Sequence, residues 1–113
     1  MSAPEGYVQV MAADEVADEM IYPFAVDDEE RVLTRVEGEI YALQGICTHE
    51  YAELAEGEVE DDTLWCPLHS SGFNVITGEA TNLPAVIPLR TYDVKILDGQ
   101  VYVSREPKSG PEY

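Results

Sequence analysis

The sequence is short of soft metal ligands and of positive charge. Its 113 residues hold only two cysteines, two histidines and six lysines or arginines, against 23 aspartates and glutamates, for a net charge of −17. Two cysteines cannot build a disulfide framework, and a reduced compartment is the natural reading. So few bases against so much acid make nucleic acid and anionic membranes poor partners. No apolar run approaches the roughly 20 residues of a membrane-spanning helix. The first 20 residues are acidic and lack the apolar stretch of a secretory signal. These absences predict a soluble, cytoplasmic protein with no nucleic-acid or membrane partner. Helical apolar periodicity is also nearly missing.

What is present is an alternating pattern rich in Val, Ile and Tyr, with 45% hydrophobic residues overall. That suffices for a real core, and the length is that of one domain, 1–113. Strands are predicted at 7–11, 21–26, 31–36, 39–43, 58–60, 63–65, 90–97 and 100–104. The polar run Asp27-Asp28-Glu29-Glu30 separates the second and third, and Glu37-Gly38 the third and fourth. Asp98-Gly99 between alternating runs is a strong hairpin signal. Residues 12–20, with Val16 and Met20 four apart, suggest one helical turn or a loop. Thr77-Gly78-Glu79 reads as a turn, 83–88 with its two prolines as a surface loop, and 107–113 as a frayed tail. The fold class expected is all-β, an antiparallel sandwich or barrel with a ligand-bearing insert at 44–72.

All four soft metal ligands fall inside that insert. They read Cys47-Thr48-His49, sixteen residues, then Cys66-Pro67-Leu68-His69. Each half resembles a tight loop offering one sulfur and one nitrogen, a donor set that suits a [2Fe–2S] cluster or a Cys₂His₂ zinc site. Zinc fingers keep their cysteines together and their histidines together, whereas each loop here mixes the two. Pro67 and the small residues Ser70-Ser71-Gly72 would let backbone N–H groups face bridging sulfides. The strand-like gap lets both loops converge at one tip. From 36 to 89 there are ten acids and no base, which predicts a site ringed by negative charge. That ring would steer a basic redox partner, or reflect a generally acidic, salt-adapted surface.

At these residues the sequence resembles the Rieske [2Fe–2S] motif. The similarity continues through Ser71-Gly72-Phe73-Asn74-Val75, Thr77-Gly78, the Pro84/Pro88 loop and Val101-Tyr102-Val103, covering residues 5–105. It is similar to the small Rieske ferredoxin component of bacterial aromatic ring-hydroxylating dioxygenase systems. The resemblance implies a Rieske fold with a small cluster-binding subdomain carried on two loops. It also implies one [2Fe–2S] cluster, with Cys47 and Cys66 on the inner iron and His49 and His69 on the outer, more exposed iron. Such a protein carries one electron from an NAD(P)H-dependent flavoprotein ferredoxin reductase to a terminal oxygenase.

Some positions depart from the family pattern. Glu50 follows the first histidine where many members have Gly. The extra cysteines of respiratory Rieske proteins are missing. Of the Ser and Tyr those proteins place after the second histidine, only Ser71 remains, the other position being Phe73. One lost hydroxyl donor predicts a potential in the lower part of the roughly −150 to +300 mV Rieske range. Trp65 is expected to pack under the cluster, Tyr51 and Phe73 to pack around the loops, and Glu58, Glu60, Asp61 and Asp62 to form a solvated turn.

Three other readings compete. A terminal oxygenase needs a mononuclear iron on two histidines and a carboxylate, yet the only two histidines are already claimed, so the chain is expected to be a carrier and no enzyme. Its end, where a Rieske domain would end, agrees. A zinc-stabilised interaction module would be colourless. The Rieske-like small subunit of a nitrite reductase is a third reading, and retention of all four ligands disfavours a cluster-less member.

Overall fold

A computed structural model describes residues 3–48, 52–68, 71–83 and 86–109. Alternation of apolar residues produces strands almost throughout. The elements are β1 (Tyr7–Ala12), β2 (Tyr22–Val26), β3 (Glu29–Val36), β4 (Glu39–Gln44), β5 (Glu58–Glu60), β6 (Thr63–Trp65), β7 (Gly72–Asn74), β8 (Ala80–Asn82), β9 (Thr91–Leu97) and β10 (Gln100–Ser109), with 3₁₀ turns at Ala13–Glu15 and Leu54–Glu56. They form a six-stranded antiparallel sheet in the order β1-β10-β9-β4-β3-β2 and a four-stranded one in the order β5-β6-β7-β8. The all-β sandwich or barrel expected from the sequence, with its small second unit, is what is observed.

The tight hairpins explain this order. Asp27 and Asp28 both have positive φ between β2 and β3. So do Glu37 and Gly38 between β3 and β4, and Asp98 and Gly99 between β9 and β10. Positive φ at both central residues is the type I′ geometry that matches the twist of the flanking strands. The first of these turns is tighter than the sequence suggested, because Glu29 and Glu30 already belong to β3.

β3 and β4 serve two cores because their side chains alternate between the faces of the large sheet. Val32, Val36 and Leu43 pack with Leu54, Val59, Leu64, Phe73, Val75 and Leu89 toward the small sheet. Leu33 and Ala42 pack with Val16, Tyr92, Val101 and Val103 inside the large sheet's own curve. Phe73 is fully buried, as expected of core packing. Val16 is buried while Met20 is exposed, so the two do not share a helical face; only Ala13–Glu15 turns.

Three readings need correction. The strands β7 and β8 went unrecognised, because Gly72-Phe73-Asn74 and Ala80-Thr81-Asn82 are dominated by Gly, Ala and Asn, residues depleted in strands. Trp65 is outside the core: Leu64 faces inward, and Trp65, one residue on, lies on the opposite face against Gly72. The tail does not fray at 107. Pro107 pairs with Tyr92 and Ser109 with Thr91, so β10 continues past a register shift that accommodates a residue lacking an N–H. Residues 110–113 lie outside the described residues.

That register shift leaves the carbonyls of Ser104 and Arg105 without β9 donors. Arg31, a buried base on β3, supplies them: Nη1 donates to Ser104 O at 2.6 Å and Nη2 to Arg105 O at 2.7 Å. Its Nε donates to Glu29 Oε1 at 2.8 Å, and its guanidinium lies 3.7 Å from the Tyr92 ring centroid. Glu29 also accepts from the Tyr92 hydroxyl at 2.8 Å and from Arg90 Nη1 at 3.0 Å. The large sheet is thus fastened across β3, β9 and β10 by one charge network.

Two tests follow from this network. Replacing Arg31 with Ala leaves Glu29 and two carbonyls short of donors, and is expected to cost about 3–5 kcal/mol. Arg105→Ala removes only an exposed pair with Asp27 and is expected to cost at most about 1 kcal/mol. Urea unfolding of the holoprotein compares them, and equal costs would refute the network's role. Burial, and secondly the bond to Glu29, raise the Tyr92 pKa above its ordinary value of 10.0. The unfolded chain therefore loses this proton first, so the stabilisation is intact below about pH 10 and declines as pH rises above it. Tyr92→Phe should be less stable at neutral pH but lose stability less steeply from pH 10 upward. Parallel pH profiles for the two proteins would refute this.

Candidate metal centre

Two loops of the same construction leave the ends of the strands. In the first, an antiparallel bridge joins Ile46 to Glu53, and Cys47 N donates to Ala52 O at 3.0 Å. In the second, Trp65 pairs with Gly72, and Cys66 N donates to Ser71 O at 2.9 Å. Each loop thus places a cysteine immediately after the pairing residue and closes it to the residue five positions on. The sequence reading of two tight loops, each led by one cysteine, agrees with this geometry.

Backbone approach dictates the residues around the loops. A Cβ at Gly57 would collide with the Trp65 carbonyl oxygen, and one at Gly78, where φ is +81°, with the Leu89 carbonyl oxygen. Leu54 N donates to Gly45 O at 2.8 Å and Leu89 N to Gly78 O at 2.8 Å, which seats both approaches. The Gln44 side chain links neighbouring segments: Nε2 donates to Ile46 O at 2.8 Å and Oε1 accepts from Arg90 N at 3.0 Å. Thr48 Oγ1 donates to Ile87 O at 2.6 Å. The sequence reading missed both clasps, because a Gln and a Thr next to a loop carry no signal until the 86–90 segment folds alongside.

The structure brings Cys47 and Cys66 into one core cluster, 4% and 5% exposed, with no disulfide between them. Two buried thiols in matched loops, with the fully buried Ser71 accepting from Cys66 N–H, suit sulfur ligation of a metal centre shielded from water. His49, His69, Glu50 and Tyr51 lie outside the described residues.

The ten acids expected to ring the site divide: Glu53 pairs with Ile46 and Glu58 with Trp65, next to Cys47 and Cys66, while others lie away from the loops. In β5 and β6, Glu60 pairs with Thr63 and Glu58 with Trp65, so the Asp61-Asp62 turn lies at the far end of the hairpin from Cys66. Three residue steps lead from Thr63 to Cys66, roughly 10 Å. Glu79 O accepts from Asn74 N and Asp62 O from Val75 N, placing Glu79 at that far end too. Glu19, Glu37, Asp61 and Asp62 line one cavity there of about 330 Å³. Strand direction carries Asp61, Asp62 and Glu79 away from the loops and leaves Glu58 beside Trp65.

A Rieske [2Fe-2S] domain profile matches residues 6–93. The ferredoxin component of the naphthalene 1,2-dioxygenase system of Pseudomonas putida is 34% identical over 97 residues, 86% of this chain and 93% of the relative. A solved complex of reduced oxygenase and oxidized ferredoxin in carbazole 1,9a-dioxygenase contains a chain that superposes with a TM-score of 0.87. It is 33% identical, and the match covers 94% of this chain and 99% of that one. An NADH-dependent nitrite reductase small subunit from Mycobacterium tuberculosis, at 19% identity, TM-score 0.78 and coverage of 88% and 95%, shares the fold alone. Sequence, loops and buried cysteines agree with these matches: the chain belongs to the Rieske [2Fe–2S] family, its cofactor is one [2Fe–2S] cluster, and its place is among the electron-transfer ferredoxins of dioxygenase systems, not their catalytic enzymes.

Proposed function

We propose that this chain, as a single Rieske domain over 1–113, carries one electron at a time from an NAD(P)H-oxidising flavoprotein reductase to a terminal Rieske non-haem iron oxygenase that acts on aromatic compounds. The observation that carries the reading is the pair of matched loops presenting buried Cys47 and Cys66 from one core. Cys47 and Cys66 hold the inner iron and His49 and His69 the outer one, each imidazole using one ring nitrogen for iron. When bound, the cluster supplies a one-electron redox couple.

The rest of the work falls to the chain. Burial of both cysteine residues keeps water from the sulfurs, and the closing bonds to Ala52 O and Ser71 O hold the loops rigid, which limits rearrangement when charge arrives or leaves. The Gln44 and Thr48 clasps fix the first loop against the 86–90 segment. No further histidine is available for a second, mononuclear iron, so within this chain oxygen chemistry has no site. The electron's destination must then be another protein.

The reading is tested by reconstitution. The holoprotein, mixed anaerobically with NADH and the reductase of a naphthalene or carbazole dioxygenase system, should bleach in the visible and then reduce the matching oxygenase. A chain that accepts no electron from any flavoprotein reductase contradicts the carrier role.

Ser71 offers a second test. It is fully buried and two residues past His69, and its hydroxyl would donate to a cysteine sulfur or bridging sulfide. A hydrogen bond to such a charged acceptor contributes roughly 1.5–3 kcal/mol. The share that differs between redox states, about 1 kcal/mol, equals about 40 mV for one electron. Film voltammetry on Ser71→Ala should show a midpoint lower by tens of millivolts. An unchanged midpoint with an intact cluster would assign the hydroxyl to the turn alone.

A further inference from the structure

We propose that the groove beside the free edge of β5 binds an extended segment of a protein partner, carrying lysine or arginine at alternate positions, which pairs with β5 as an added strand. The site is separate from the carrier role and lies on the flank of the molecule, running away from the loop tips.

The groove lies between residues 19–21, which lead into β2, and the hairpin of β5 and β6. Two adjoining cavities of about 390 and 330 Å³ share Glu19 and extend along β5 to the Asp61-Asp62 turn. β5 ends the small sheet and pairs with β6 alone. Glu60 and Thr63 flank the two-residue turn, so their pair carries the closing hydrogen bonds. Val59, one residue back, then directs its N–H and C=O away from β6, to the groove side. Its side chain is buried in the core, which holds that edge in place. A fixed strand edge with a donor and an acceptor to spare is what strand addition uses.

The charge of the walls selects the occupant. Glu19, Glu37, Glu58, Glu60, Asp61 and Asp62 line these cavities and no described base does. Among the described residues none of the six is in an ion pair. Arg35, whose carbonyl accepts from Glu19 N, has its guanidinium taken by the carbonyls of Ala13, Val16 and Gly38. Glu58 and Glu60 project from one face of β5 about 7 Å apart, which matches bases at i and i+2 on an added strand. Met20, 56% exposed, and half-buried Ile21 offer apolar contact to the residues between those bases. A second copy of this chain does not fit. Pairing β5 with β5 would oppose glutamate to glutamate, and each copy carries a net charge of −17.

The test uses holoprotein and a fluorescein-labelled heptapeptide, Lys-Val-Lys-Val-Lys-Thr-Lys, titrated by anisotropy at about 20 mM salt, where screening is weak. One comparison peptide has the same composition with its four lysines in a block, and another has Glu for every Lys. The alternating peptide should bind about tenfold tighter than the blocked one, and the acidic one should not bind. E58Q/E60Q should raise Kd about fivefold, while E5Q/E106Q, which removes the same charge from exposed sites elsewhere, should stay within about twofold of wild type. Hydrogen exchange at the Val59 amide should slow about tenfold at saturation, with the visible spectrum unchanged. Equal binding of the blocked peptide, an equal effect of E5Q/E106Q, or unslowed exchange at Val59 would overturn the proposal. Absence of binding would overturn it too, and leave Glu58 and Glu60 as charges that keep an exposed edge from pairing at random. None of these failures touches the carrier reading, which reconstitution with reductase and oxygenase tests separately.

Discussion

Two backbone hydrogen bonds of one kind, from Cys47 to Ala52 and from Cys66 to Ser71, are the constraint on which the site depends. Each turns a strand end into a closed loop and fixes the direction of the cysteine that begins it. Because both strands also contribute to one core, closing the loops brings the two sulfur-bearing residues together without a disulfide or a helix. Gly57 follows from the same constraint, since a Cβ there would collide with the Trp65 carbonyl oxygen just before Cys66.

The loops need a stiff base, and the large sheet provides it by unusual means. A shift in β10 register would leave two carbonyls unpaired near the protein interior, where such groups cost about 1–3 kcal/mol each. Buried Arg31 meets them, Glu29 neutralises Arg31, and Arg90 and Tyr92 share Glu29. Arg90 is also where Gln44 holds the first loop. Scaffold and site are therefore joined through one arginine, in a chain whose six bases leave few to spare.

Much of this was legible in the sequence, for reasons that can be named. Asp98-Gly99 and Glu37-Gly38 announced hairpins because their backbone geometry suits few other residues. Cys47 and Cys66 stood out because nothing else could supply a thiolate. What stayed hidden was set by partners distant in sequence. β7 and β8 are built largely from Gly, Ala and Asn, which do not read as strand. Pro107 looked like a strand end, yet Arg31, 76 positions earlier, supports the chain there. Of the ten acids between 36 and 89, Glu53 and Glu58 stay beside the loops, but antiparallel strands carry the Asp61-Asp62 turn to the opposite end.

The central claim is that Cys47, Cys66, His49 and His69 share one binuclear cluster, with sulfur on one iron and nitrogen on the other. Mössbauer spectroscopy combined with pulsed EPR on the reduced holoprotein addresses it most directly. The account predicts two inequivalent irons, with the added electron on an iron coupled to two imidazole nitrogens, and loss of one nitrogen coupling in His69→Cys. Two equivalent irons without nitrogen coupling, or stoichiometric zinc in anaerobically purified protein, would contradict it.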